Sequence, residues 1–346
     1  MFLQSWAHST LYSGKLTDDG AVFLEGLRPS RDDRGRPRTR PACFGEPARP
    51  SKVVDRSPVG PGNGFLGLTE IRMCRWIAYR GETTAFEHYV TEPEHSLVSQ
   101  SLRALEATTG TNGDGFGLGW YGDHPEPGLY RETRPAWSDE NLRYLCRHLY
   151  SHLFFAHVRA ATGTAVTRQN CHPFACGRWM FMHNGFIGSW NRLRRRVEAL
   201  IPDMLYPSRL GTTDSEAVFL ALIGAGIDQE PIEGTRRVLK SLCGLVNEDG
   251  HQERLRFTAA LANGRDLFAF RFAENDTANS LYYREDGERL IVVSEPYDKE
   301  PDWTEVPDNH ALIALGSQSV QIIPFLPATE EQQELLLTKR VIARVQ

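Results

Sequence analysis

The stretch Met73-Cys74-Arg75-Trp76-Ile77-Ala78-Tyr79 divides the chain into two unlike parts. From Cys74 to Tyr79 an apolar run has the length and composition of a buried strand, ended by Arg80-Gly81. With Cys74 as the first residue of the working protein, nucleophile and base would sit in one residue. The thiolate would attack a carbonyl while its own α-amine, with an ordinary pKa of about 7.7–8.0, moves the proton. A cysteine inside a chain has no such amine, and most cysteines in apolar runs are inert buried thiols. The residues on either side decide between these two roles.

Upstream, the composition is that of a chain that cannot bury much. Between Arg31 and Gly64, 18 of the 34 residues are Arg, Pro or Gly, and Pro37, Pro41, Pro47, Pro50, Pro58 and Pro61 keep interrupting it. Residues 1–73 are therefore expected to be a disordered extension missing from the mature protein. Either a propeptide is cleaved before Cys74, or Met73 is the true initiator and is trimmed from its small neighbour. The second route is favoured.

The 346 residues are 40% hydrophobic and 24% charged, as in a soluble globular chain with a sizeable core. A net charge of -5 and a pI near 6.1 speak against a nucleic-acid partner. No apolar run approaches the roughly 18 residues of a membrane span. Met1 to His8 lack the basic and apolar regions of a secretory signal. The six cysteines (Cys43, Cys74, Cys146, Cys171, Cys176, Cys243) are too sparse for a disulfide framework, so a reducing cytoplasm is the expected compartment.

Downstream, apolar spacing predicts helices over Ser96–Leu105, from Asp139 to about Tyr150, and over Ser189–Leu200, Asp214–Gly224 and Ile232–Val246. Thr213 and Glu216 have capping-box spacing at the fourth of these. The turn cluster Thr111-Asn112-Gly113-Asp114-Gly115 feeds a strand Phe116–Tyr121. Leu153–Val158 is almost wholly apolar, as a strand covered on both faces would be. Arg178–Met182 reads as a strand ending in His183-Asn184-Gly185. Later strands are predicted at Leu255–Leu261, Asp266–Phe272, Leu281–Arg284, Arg289–Ser294, Ala311–Ala314 and Val320–Ile323. Strands, a helical block, then strands again describe a layered α+β domain.

Several chemistries can be set aside. Gly113, Gly115, Gly117 and Gly119 lead into a strand, not the helix a dinucleotide loop requires. Cys171-His172 with Cys176 lacks a second matched pair, so no zinc or other metal is expected. No Gly-x-Ser-x-Gly elbow is present. Four segments remain: Met73-Cys74-Arg75, His157-Val158-Arg159-Ala160-Ala161-Thr162-Gly163, His183-Asn184-Gly185, and Thr213-Asp214-Ser215-Glu216. Cleaving a γ-glutamyl amide needs a nucleophile, an oxyanion hole, a cation for the α-carboxylate and an anion for the α-ammonium. The four segments contain one of each.

Together with Asn112-Gly113-Asp114-Gly115-Phe116-Gly117, Asn170-Cys171-His172-Pro173-Phe174 and Ser294-Glu295-Pro296, these motifs make the chain from Cys74 to about Pro324 resemble the class II glutamine amidotransferase domain. That domain is one of the N-terminal-nucleophile hydrolases. Within it, the chain is most similar to stand-alone members such as the amidotransferase subunit of the fungal glutathione-degrading complex. The resemblance implies a four-layer αββα sandwich over 74–325, with a tail over 326–346 and no cofactor. It also implies a role for each matched residue: Cys74 as nucleophile, Asn184 and Gly185 as oxyanion hole, Arg159 and Asp214 on the α-carboxylate and α-ammonium, Thr162 and His172 lining the pocket. One departure is that the family's Arg-Trp-Ala-Thr-His-Gly is here Arg159-Ala160-Ala161-Thr162-Gly163, without the aromatic residue or the histidine.

The implied reaction is thioester formation at Cys74, release of ammonia or an amine, and hydrolysis to glutamate. The 273 residues after Met73 are nearly filled by this domain, so no acceptor domain is expected on the chain. Two alternatives stay open: a glutaminase subunit delivering ammonia to a separate synthase or peptidase partner, and a non-catalytic interaction subunit.

Overall fold

Which face of each strand is apolar decides how the chain layers. The computed structural model describes residues 73–105, 111–161, 163–250, 254–274, 277–287 and 289–326. The expected extension, apart from Met73, and the expected tail beyond Leu326 lie outside the described residues. Directly after Cys74 runs β1 (Arg75–Ala85), flanked by antiparallel β4 (Tyr150–Val158) and β10 (Arg289–Val293). With β2 (Phe116–Trp120), β3 (Gly128–Glu132), β9 (Tyr282–Asp286) and β11 (Thr304–Glu305) they form a sheet ordered β11-β9-β10-β1-β4-β2-β3. The other strands are β5 (Phe174–Cys176), β6 (Trp179–Phe186), β7 (Arg256–Ala262), β8 (Leu267–Ala273), β12 (His310–Ala314) and β13 (Gln321–Pro324). They make a second antiparallel sheet ordered β13-β12-β8-β7-β6-β5.

Successive strand residues point to opposite faces, so each sheet can serve two cores at once. In β1, Trp76 and Ala78 join an inner cluster while Ile77 and Tyr79 join an outer one. Strand β4 divides the same way, with Leu153 and Phe155 inward and Phe154, Ala156 and Val158 outward. On the facing sheet, Met180, Met182, Ala260, Ala262, Ala269, Leu312 and Ala314 point inward, meeting the first sheet. Phe181, Phe257, Leu261, Phe268 and Phe270 point outward. Several of the inner residues are alanines, which let two sheets approach to the roughly 10 Å typical of face-to-face packing.

Helices close the two outer faces. Residues of α1 (Glu87–Val90), α2 (Leu97–Leu102) and α3 (Glu140–His148) pack with the outer face of the first sheet. Those of α4 (Trp190–Glu198), α5 (Asp214–Gly224) and α6 (Pro231–Asp249) pack with that of the second. Helix α5 is buried on every side from Ser215 to Leu222, as an apolar helix wedged between neighbours must be. The result is the four-layer αββα sandwich of two antiparallel sheets flanked by helices. Among the described residues no helix is long and apolar enough to cross a membrane.

Several sequence expectations change at the edges. Strand β1 does not stop at Arg80-Gly81; its register slips between Arg80 and Thr84 and pairing resumes to Ala85. There the Arg80 guanidinium donates to the Gly316 carbonyl. The helix expected over Ser96–Leu105 ends at Leu102, leaving Leu102 and Leu105 exposed. The Leu105 N–H donates instead to Glu295 Oε1 at 2.9 Å, which draws that stretch out of helical geometry. His183, Asn184 and Gly185, where the strand is expected to end, continue β6 to Phe186, paired with Ala259, Thr258 and Phe257 of β7. Strands β3, β5 and β11 are too short or too polar to stand out in the sequence.

The inner alanines set a testable constraint. Ala260 is fully buried, paired with Met182 on one side and Ala269 on the other. Ala260→Leu should cost about 1–3 kcal/mol by overpacking the layer between the sheets, seen as a lower urea midpoint. An unchanged midpoint would contradict close approach of the sheets there.

Candidate active site

The two sheets meet at the residue that starts the first of them. Asn184 Nδ2, from β6, donates to the Cys74 carbonyl at 2.9 Å. The Ala160 N–H, just past β4, donates to Cys74 Sγ at 3.4 Å. Cys74 is half-buried. Burial pushes its thiol above the ordinary range; the Ala160 backbone contact and the Arg159 and Arg75 charges oppose the rise, and Asp214 adds to it. The resting sulfur is therefore a protonated thiol that needs a base before it can attack.

Strand β5 pairs with β6 at residues 179–181, the pairing recorded on that side among the described residues. The following residues 183–185 thus face the site with one backbone edge outside the β5 ladder. At Gly185 a Cβ would lie 2.1 Å from the Arg256 carbonyl oxygen and 2.4 Å from His183 Nε2, so only glycine fits there. His183 itself bonds Ser215 Oγ through Nδ1 at 2.9 Å, which pins β6 to the start of α5.

Arg159 follows β4 and is 3% exposed. Its Nη2 donates to Thr164 Oγ1 at 2.6 Å, and its Nη1 makes a long 3.4 Å contact with the Asp114 carbonyl. The backbones of Asp114 and Arg159 are also tied, Asp114 N–H to Arg159 O at 3.0 Å and Arg159 N–H to Gly115 O at 2.8 Å. The Asp114 carboxylate accepts the Ala161 N–H at 2.8 Å. Among the described residues no carboxylate forms an ion pair with Arg159.

Asp214 opens α5, where the helix dipole favours an anion. Its Oδ2 accepts the Ile187 N–H at 3.0 Å and its Oδ1 the Ser215 N–H at 2.8 Å. The capping box expected from Thr213 and Glu216 is only half present. Thr213 Oγ1 caps the Glu216 N–H at 3.2 Å, but the Glu216 carboxylate turns to Arg209 and to the N–H groups of Leu210 and Gly211. It holds the chain leading into Asp214.

The structure thus gathers Cys74, Arg159, Asn184, Gly185 and Asp214 around the meeting of the sheets. His172 is buried beside this group, its ring tilted against His157 at 4.3 Å and edge-on to Phe174 at 4.6 Å. Burial and the neighbouring charges push His172 well below the usual histidine range, and His157 to about 3, so both rings are neutral near pH 7. Thr162 lies outside the described residues. Sequence reasoning gave no role to Asp114, Thr164 or Asn279. Asn279 Nδ2 donates to the Asn184 backbone carbonyl at 2.9 Å and so supports the strand that carries the amide. Asp114 stood in a quoted turn motif, whereas Thr164 and Asn279 carry no local signal.

A family model described as glutamine amidotransferases class-II matches residues 90–300. The chain belongs to the class II glutamine amidotransferases. Among similar proteins, this amidotransferase is 28% identical to the probable glutamine amidotransferase DUG3 of Saccharomyces cerevisiae, over 78% of this chain and 89% of that one. It is 30% identical to the γ-glutamyl-hercynylcysteine sulfoxide hydrolase of Mycobacterium tuberculosis, over 69% of this chain and 91% of the relative. A solved glutamine aminotransferase class-II domain protein from Silicibacter pomeroyi is 35% identical with a TM-score of 0.59, covering 73% of this chain and all of that one.

The raised thiol sets a reactivity test. In the chain with residues before Cys74 attached, thiolate forms only at high pH, because the protonated form is the one favoured by burial. Alkylation of Cys74 by iodoacetamide, followed by mass spectrometry, should still be slow at about pH 8.5, where an exposed cysteine titrates, and rise only at higher pH. Rapid labelling at pH 7 would contradict this.

Proposed function

We propose that this amidotransferase hydrolyses the γ-glutamyl amide bond of glutamine or of a γ-glutamyl peptide or amine through a thioester at Cys74. The observation that carries this reading is Arg159, a buried guanidinium beside the nucleophile with no carboxylate partner among the described residues. A buried cation without an anion is unfavourable, and a planar bidentate carboxylate is the partner its fork suits best. A substrate α-carboxylate would supply it, and Asp214, anchored at the helix start, would hold the α-ammonium group. His172 and Thr162 would line the same pocket. The names of the relatives support the reading, since one is a γ-glutamyl hydrolase and the other a probable glutamine amidotransferase.

Removal of everything before Cys74, whether by cleavage or because Met73 is the initiator, would give it a free α-amine. The amine takes the thiol proton as Sγ attacks the γ-carbonyl carbon. The second hydrogen of Asn184 Nδ2 and the Gly185 N–H meet the developing oxyanion, where losing one donor costs about 2.7–4 kcal/mol of transition-state stabilisation. The protonated amine then gives its proton to the leaving nitrogen as the C–N bond breaks. Water, deprotonated by the same amine, attacks the thioester and releases glutamate and the thiol.

Arg159→Gln should lower kcat/KM for a γ-glutamyl substrate by about 2–5 kcal/mol, the usual cost of truncating one partner of a buried charge pair. That is roughly 30-fold to several thousandfold. A substrate whose α-carboxylate is converted to a primary amide should suffer a similar loss with the unaltered protein and little further loss with the variant. Steady-state hydrolysis of the four combinations checks this; fully additive losses would separate Arg159 from the carboxylate.

A further inference from the structure

Two residues of the quoted motifs, Arg75 and Glu295, have so far had no task. Both are buried, 0% and 2% exposed, and they pair through Arg75 Nε and Glu295 Oε2 at 2.8 Å. The other carboxylate oxygen of Glu295 is bound by His95 Nε2 and by the Leu105 N–H. Arg75 Nη1 then donates to the Cys74 carbonyl at 3.0 Å. That carbonyl is the one that Asn184 Nδ2 reaches at 2.9 Å. One oxygen therefore accepts two donors, which uses both of its lone pairs.

The shared oxygen links the nucleophile to the oxyanion hole. An amide NH2 carries two hydrogens. Binding one of them to Cys74 O fixes the plane and flip of the Asn184 side chain and leaves the other available to the substrate oxyanion. The carbonyl can do this only if it is itself held, and the buried guanidinium holds it. Stability alone does not account for the pair: a buried ion pair is often no better than well-packed apolar residues of the same volume. Arg75 Nη2 is in addition buried with no hydrogen-bond partner among the described residues, a cost that an apolar residue would avoid.

We propose that Arg75 and Glu295 are positioning residues for the reaction at Cys74, locking its carbonyl and through it the orientation of the Asn184 amide. This rests on the proposed function, in which Asn184 meets the oxyanion. Misplacement of such a group by an ångström can cost about 100-fold in rate. Glu295 acts at one remove, fixing the guanidinium, and neither residue touches substrate.

The test uses the form of the chain that hydrolyses γ-glutamyl substrate and compares it with Glu295→Gln and with the double variant Arg75→Met/Glu295→Leu. The double variant removes both charges at similar volume and should fold with a Tm close to the parent. The expected result is a 10- to 100-fold lower kcat with KM within about twofold for both. Arg75→Lys, which keeps one donor, should restore part of the rate. A readout independent of turnover is 15N relaxation of the Asn184 side-chain amide, rigid in the parent and mobile in the double variant. Should the parent show no hydrolysis, the proposed function fails, and the relaxation measurement alone decides this proposal. A folded double variant with unchanged kcat, a loss confined to KM, or an Asn184 amide equally rigid in both proteins would overturn it.

Discussion

The hydrogen bond from Asn184 Nδ2 to the Cys74 carbonyl joins the residue before β1 to the C-terminal part of β6, strands of opposite sheets. For it to form, the sheets must face each other closely and in one register, and the alternation of large and small residues on their inner faces arranges this. Trp76, Phe155 and the methionines fill the layer while Ala78, Ala260, Ala262, Ala269 and Ala314 keep it thin. The outer aromatic residues, such as Phe181 stacked on Phe219 at 5.3 Å, fasten each sheet to its helices. Because side chains alternate strictly along a strand, a slip of one residue would turn every inner residue outward and move Asn184 off the nucleophile.

Around that contact the charges fall into two groups. Arg75 is neutralised by Glu295, deep in the first sheet, whereas Arg159 is buried without a carboxylate among the described residues. The first reaches the nucleophile's backbone, since Arg75 Nη1 donates to the Cys74 carbonyl at 3.0 Å. In the proposed function the second receives its carboxylate from the substrate. Asp214, at the start of α5 and held by N–H groups, acts on the Cys74 thiol. The Arg159 and Asp214 charges act on the thiol in opposite directions, and in the proposed function they would receive the α-carboxylate and α-ammonium groups of the substrate.

The sequence made the layering readable where strands were long and covered on both faces, as at Leu153–Val158, and where a helix was apolar throughout, as at α5. It failed where local pattern is overridden by a distant partner. Leu105 leaves its helix for Glu295, 190 positions away, and the Glu216 carboxylate turns to Arg209 instead of closing the capping box. His183, Asn184 and Gly185 look like a turn, and only pairing with β7 makes them strand. Cys74, Arg159, Asn184, Gly185 and Asp214 are singled out only because their motifs resemble a known family; spacing alone leaves each with a bland local role. His172 is assigned to the pocket by the same match, while its ring lies tilted against His157 in a buried neutral pair.

The central claim is that Cys74 works only as the first residue. Its most direct test is to prepare two proteins, one beginning at Cys74 and one retaining a single uncleavable residue before it, and to measure γ-glutamyl amide hydrolysis by each. The expected result is turnover by the first and only background by the second, with both folded to the same melting temperature. Equal turnover by the two would contradict a mechanism in which the α-amine of Cys74 carries the proton.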